Sequence, residues 1–258
     1  MRYFILFNIA AYGRSIANGL ENNQDSVLIK EINDFVILVV ADGNGADSAG
    51  MINTGLLANN LMIDYLTKII HQMSSINEIA NQLNLGMYTI SKCFLSINSI
   101  DEKFSNVYAS QSLVIINKNT LDMCFASIGN TEIHLFRSGE LNRMNILQSK
   151  AYEMLINKSL LLSDFYNCPE RGILTSAYGV FESINVDLRI GKFNPNDIII
   201  LTTDGIFTLL NPNDLIKLLG QGESPTPQSG VENILSHISN KNNKLDNAGM
   251  ICAYIEEI

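Results

Sequence analysis

Hydrophobic and polar positions divide the chain into short apolar runs and longer amphipathic stretches. Tyr3–Ala11 is apolar enough for a first strand, and Ser26–Ile32 with Phe35–Ala41 reads as a hairpin turning at Asn33-Asp34. Gly50–Ile70 mixes apolar and polar faces as a long helix does. Ile79, Leu83, Leu85, Met87, Ile90 and Phe94 fit a helical period across Ile76–Ser96. Strands resume at Ser110–Asn117, Asp122–Ile128 and Glu132–Arg137, followed by a turn at Ser138-Gly139-Glu140. Leu147–Leu174 has no clear period and reads as a loop with a short helix. Val186–Ile190 and Asp197–Thr203 are further strands. Asn213 is expected to cap a helix through Asp214–Leu219, and the Pro-, Gly- and Ser-rich Gln221–Gly230 to form an exposed loop. A helix over Val231–Ser239 and a closing strand over Gly249–Ile255 complete the pattern.

Strand-rich ends, helices between them and hairpin-length links favour mostly antiparallel sheet with helices packed outside over a parallel βαβ fold. No repeat, low-complexity block or linker interrupts the 258 residues, so a single domain over 1–258 is expected.

Composition narrows the partners. Hydrophobic residues are 47% and charged residues 17% of the chain, which allows a sizeable core and argues against disorder. The net charge of −9 repels phosphate backbones, so nucleic acid is not an expected partner. Cys93, Cys124, Cys168 and Cys252 are scattered without a Cys-x-x-Cys pair, so a zinc site is not expected, and buried free thiols in a reducing cytoplasm are. Only Arg2 precedes the Tyr3–Ala11 run, and Asn8 interrupts it, so a strand fits better than a signal peptide. No stretch reaches the roughly 18 apolar residues of a membrane span, and no membrane partner is expected.

Three aspartates are each read at the end of a hydrophobic run: Val39-Val40-Ala41-Asp42-Gly43, Ile199-Ile200-Leu201-Thr202-Thr203-Asp204-Gly205 and Leu245-Asp246-Asn247. A carboxylate at the edge of a core is costly unless it is paired or holds a metal. Taken singly, Asp42-Gly43 and Asp204-Gly205 could be plain turns after strands, Asp246-Asn247 a hairpin turn, and Asp25 a solvated turn residue. Together they could converge on one cation site, whose hard oxygen ligands suit Mg²⁺ or Mn²⁺.

The ordered set of motifs resembles the metal-dependent protein phosphatase family, the type 2C serine/threonine phosphatases. Asn22-Asn23-Gln24-Asp25 is similar to the family's first acidic motif, Asp42-Gly43-Asn44-Gly45 to Asp-Gly-His-Gly, Thr203-Asp204-Gly205 to Ser-Asp-Gly, and Asp246-Asn247 to the last motif. Gly129-Asn130-Thr131 stands where many members have Gly-Asp-Ser, and Leu174–Gly179 where they have a Thr-Arg-Ala stretch. Gly13-Arg14-Ser15 ahead of Gln24-Asp25 is closest to a bacterial subgroup.

The resemblance implies an α+β fold, a four-layer α-β-β-α sandwich of two antiparallel sheets flanked by helices. It implies two divalent ions, Mg²⁺ or Mn²⁺, with Asp42 bridging them, the Gly43 carbonyl on the second ion, and Asp204 and Asp246 on the first. Asp25 would orient waters from behind, so Asp42, Asp204 and Asp25 form the expected catalytic set, and the nucleophile is a water activated by the cation pair. The implied activity is hydrolysis of phosphoserine and phosphothreonine in proteins, opposing a bacterial Ser/Thr kinase, by a cytoplasmic monomer. The family also carries a flap at the position of Leu147–Ile173.

Departures from the family pattern define the alternative. Leu20 occupies the position of a phosphate-clamping arginine, for which Arg14 is the candidate substitute. Asn44 replaces a histidine; it can hydrogen-bond substrate phosphate but cannot donate a proton as an acid. Asn130 replaces an aspartate, so a third, weaker ion is held less well, and Gly249 replaces a threonine. His71 at a helix end, His134 on a solvent-facing strand side and His237 on a late helix are not expected to act in catalysis. These losses leave open a non-catalytic phosphoprotein- or partner-binding module and, third, a phosphatase for small metabolites.

Overall fold

The computed structural model describes residues 8–45, 52–221, 226–241 and 246–256. Alternation inside the central strands decides its layering. In β3 (Phe35–Asn44), Phe35, Ile37, Val39 and Ala41 point one way and Val36, Leu38 and Val40 the other, and all are buried. A strand apolar on both faces needs a layer on each side. β4 (Tyr108–Asn117) and β5 (Asp122–Ile128) repeat the division, with Leu113, Ile115, Cys124 and Ala126 opposite Val114, Ile116, Met123 and Phe125. Together with β2 (Ser26–Ile32) and β8 (Asp187–Lys192) they form an antiparallel sheet in the order β2-β3-β4-β5-β8.

The second sheet is also antiparallel. It runs β1 (Asn8–Ile16), β10 (Ala248–Glu256), β9 (Ile198–Thr202), β6 (Glu132–Arg137), β7 (Glu140–Arg143). Its inner face (Ile9, Ile133, Leu135, Ile199, Leu201, Ile251, Ala253) packs on Val36, Leu38, Val40 and their neighbours. Each such fully shielded aliphatic side chain contributes about 1.5–3 kcal/mol. Helices α1 (Thr54–Ile70) and α2 (Ile76–Asn98) cover the outer face of the first sheet. α5 (Asp204–Leu209), α6 (Pro212–Leu219) and α7 (Pro227–Ser239) cover that of the second. The result is the expected α+β architecture of two packed sheets between helices.

Several expectations need correcting. The first strand is described from Asn8, and Tyr3–Phe7 lie outside the described residues. α1 starts at Thr54 rather than Gly50 because the Asn53 side chain accepts a bond from the Leu56 amide and caps it; Gly50 and Met51 lie outside the described residues. The cap of α6 is Asn211, not Asn213: its carboxamide accepts from the Asp214 amide, and Pro212 fills the first turn, where its missing N–H is harmless. Pro227–Gly230, expected as loop, opens α7 behind a reciprocal Thr226–Ser229 cap, while 222–225 lie outside the described residues. The stretch 147–174 holds α3 (Lys150–Ile156), α4 (Leu162–Phe165) and a 3-10 turn (Pro169–Gly172) around Leu147, Ala151 and Phe165. Cys124 and Cys252 are buried free thiols, but Cys93 is exposed and Cys168 partly so. Among the described residues, no helix is long and apolar enough to cross a membrane.

Candidate metal centre

Strand parity delivers the acids. Val40 faces the space between the sheets, so Asp42, two residues on in β3, is carried to the same face at one end of it, and Asp25, just before β2, is tied to that end by the Thr203 hydroxyl. Asp204 follows β9 and opens α5, and Asp246 precedes β10, the strand paired with β9. Antiparallel pairing thus brings Asp204 and Asp246 to the end occupied by Asp42. Asp204 lies within hydrogen-bonding reach of both Asp42 and Asp246. Among the described residues, no three His, Cys, Asp or Glu side chains already close into a cage around one point. The carboxylates meet in pairs instead, with Asp204 in the middle.

Each acid has local support. Asp25 is buried and accepts a 2.6 Å bond from the Thr203 hydroxyl, which in turn accepts from the Gly249 amide at 2.8 Å. Asn130 donates from Nδ2 to Asp204 Oδ2 at 2.7 Å, and its Oδ1 accepts from the Ser110 hydroxyl at 2.9 Å. Asn247 fixes the approach of the last motif. Its Oδ1 accepts from the Gln24 amide, and its Nδ2 donates to the carbonyls of Ala17 and Asn22. Gly43 has no room for a side chain: a methyl there would overlap the Thr54 hydroxyl, the Gly55 amide and the Gln24 carbonyl. Gly205 is under the same constraint from the Asn247 carbonyl, so the start of α5 and the Asp246-Asn247 segment sit in direct contact.

Electrostatics sets this end of the molecule apart. Burial pushes the carboxyl of Asp25 well above the usual carboxylate range despite the Thr203 bond, and the charges of Asp204 and Asp246 push it further. Burial does the same to Asp42, reinforced by Asp204, Asp25 and Asp246. Asp204 is raised by burial, with the Arg171 charge opposing. Asp246 is pushed up to about 7, first by burial and then by the Asp204 charge. Among the described residues, none of the four has an ion-pair partner. Crowded carboxylates that no basic side chain pairs with, Arg171 acting on them only through its charge, form an all-oxygen, anionic donor set, which fits hard divalent cations.

The remaining expected residues divide. Asn44 sits at the rim, opposite Tyr108 in register and hydrogen-bonded to its phenol, which burial and the nearby carboxylates keep protonated. Arg14 is not brought in. Tyr12 and Ile16 pack on the helix side of the second sheet, so Arg14 shares that face and bonds Glu232 of α7 at 2.6 Å. Leu20 is exposed. His71 ends α1 and His237 is exposed on α7, but His134 is buried against Glu132 rather than facing solvent, because the 147–173 segment and α5 cover that side of β6. Sequence reasoning missed Thr203, Tyr108 and the carboxamide of Asn247. The only available signal was polarity at the tip of an apolar strand.

No protein-family model matches the chain. It is similar to a Streptococcus pyogenes protein of the protein phosphatase 2C type, 20% identical over 204 residues that span 77% of this chain and 79% of that one. Its fold superposes on the S. agalactiae serine/threonine phosphatase with a TM-score of 0.83, at 21% identity, covering 97% of this chain and 100% of the other. It also superposes on the catalytic domain of the serine/threonine phosphatase PstP in complex with two manganese ions, with a TM-score of 0.71, 15% identity and coverage of 96% and 98%. By sequence the chain is similar to bacterial type 2C protein phosphatases, and its fold is that of the bacterial serine/threonine phosphatases on which it superposes.

Proposed function

We propose that the chain is a divalent-cation-dependent phosphatase that hydrolyses phosphoserine and phosphothreonine monoesters in proteins. One observation carries this reading: Asp42, Asp204 and Asp246 converge, with Asp25 behind them, and no basic side chain among the described residues pairs with them. Asp42, the Gly43 carbonyl, Asp204 and Asp246 would hold two Mg²⁺ or Mn²⁺ ions, which supply an activated water and charge neutralisation for an in-line displacement. The PstP relative with two manganese ions supports a pair of cations.

The chain's own residues contribute orientation. Asn130 holds Asp204 in one rotamer, and Thr203 does the same for Asp25, so neither carboxylate needs to reorganise during the reaction. Asn44 and the protonated Tyr108 offer hydrogen-bond donors at the rim, suited to a phosphate oxygen or the leaving oxygen. Arg14 is held by Glu232 and does not meet the phosphate. The substrate is a phosphorylated protein, the product of a bacterial Ser/Thr kinase, and the protein acts as a cytoplasmic monomer built from one domain over 1–258.

The test is turnover of a phosphoserine peptide by the protein with Mn²⁺, with chelator, and by Asp204→Asn. Mn²⁺-dependent phosphate release, lost in the other two conditions, is expected. Equal rates in all three would end the reading. Phosphopeptide binding without turnover would instead assign the chain as a recognition module.

A further inference from the structure

Beside the carboxylate cluster, on the outer face of the second sheet, lies a buried ionic group that the chemistry above does not use. Its centre is Glu132 on β6, whose side chain is fully buried. Three bases surround it. His134 bonds Oε2 at 3.0 Å, Arg143 of β7 reaches the same oxygen at 3.6 Å, and Arg171 reaches Oε1 at 3.5 Å. His134 lies two residues along the same strand, so its contact with Glu132 is local. The arginines tie Glu132 to the 147–173 segment.

Both guanidinium groups are wrapped in that segment's aromatic rings. Arg143 lies 4.8 Å from the Tyr152 ring and 5.2 Å from that of Phe165. Arg171 lies 5.3 Å from the Tyr166 ring, 5.8 Å from that of Phe165, and donates to the Tyr166 carbonyl. Otherwise the segment has a thin core of Leu147, Ala151 and Phe165. The anchoring also runs toward the site. Glu132 is opposite Thr202, two residues before Asp204, and the Tyr166 and His134 rings both pack at a tilt against Phe207 of α5, the helix that Asp204 opens.

We propose that Glu132 is a positioning residue that latches the 147–173 segment against the candidate metal centre by holding Arg143 and Arg171 together. A buried carboxylate is costly, and one shared by two guanidinium groups is retained because removing it would strand both. Without Glu132 the two cations repel each other within a shared aromatic pocket, and the segment they hold separates from β6. Its role in substrate handling rests on the phosphatase reading, but its role in anchoring the segment does not.

The experiment is hydrogen exchange, read by mass spectrometry on the metal-free full chain, comparing native protein with Glu132→Gln. The expected result is exchange faster by about tenfold or more in peptides covering 150–173, with α1 and β3 unchanged. Where Glu132→Gln accelerates α1 and β3 as well, Arg171→Met, which cuts the latch from the other side, is the deciding variant and should accelerate 150–173 alone. Exchange of 150–173 within about twofold of native in the deciding variant overturns the proposal. Because no substrate or cation is present, absence of phosphatase activity would not alter this readout. With turnover, the latch adds a further mark: KM for a phosphopeptide should rise about fivefold or more in that variant while kcat changes less, and a loss confined to kcat counts against positioning.

Discussion

Thr203 supports the carboxylates through a single oxygen that donates to Asp25 and accepts from the Gly249 amide. Thr203→Val keeps shape and removes both bonds, leaving a buried carboxyl and a buried N–H with one partner fewer. The expected loss is about 1–3 kcal/mol, read as a lower urea midpoint with unchanged slope. Gly205→Ala tests contact rather than hydrogen bonding: its methyl would overlap the Asn247 carbonyl, forcing the start of α5 away from the last motif. Overpacking of this kind costs about 1–3 kcal/mol, and the displaced Asp204 should also weaken Mn²⁺ uptake measured by titration calorimetry. The strand-tip aspartates were legible in sequence because a charge ending an apolar run demands a counter-charge or a cation. Thr203 was not, because its partner Asp25 is 178 residues away and only the pairing of sheets reveals it.

At the scale of elements, what could be read depended on whether the signal was local. The β2–β3 hairpin turns at Asn33, whose φ of 53° suits the asparagine expected there. β5 and β6 occupy the expected spans because alternation and turn chemistry agree. The cap of α6 was misassigned between two nearby asparagines, and the structure makes the distinction testable. Asn211→Ala should lower stability by about 1 kcal/mol, whereas Asn213→Ala, inside the first turn, should change it by less than about half of that, as thermal melts would show. The 147–173 segment was illegible for a different reason. Its helices are short, and its core is made of aromatic rings around Arg143 and Arg171, so no apolar period exists to detect. Parity places Arg14 only once the orientation of β1 is known: Ile9 and Ala11 face the other sheet, so Arg14 joins Tyr12 and Ile16 on the opposite face.

Across the whole molecule, two sheets bury an apolar middle and leave four carboxylates gathered at one end, and this arrangement fixes how stability responds to pH and cations. The folded-state pKa values of these acids are raised, so without a cation the folded protein binds more protons than the unfolded chain. Stability from these groups is therefore fully present below the ordinary carboxylate range and is lost as pH rises through the folded values, which for Asp246 means toward about 7. In chelator, Tm should fall between pH 5 and pH 8 by several degrees, at the roughly 2–4 °C per kcal/mol expected for a chain of this size. Mn²⁺ binds the deprotonated form, so it should restore Tm at pH 8 and do little at pH 5, where protons compete for the same oxygens. Asp204→Asn removes the central charge and should flatten both responses together. A chelated protein whose Tm instead rises over this interval, or a Mn²⁺ effect as large at pH 5 as at pH 8, would mean that these carboxylates are not the linked group.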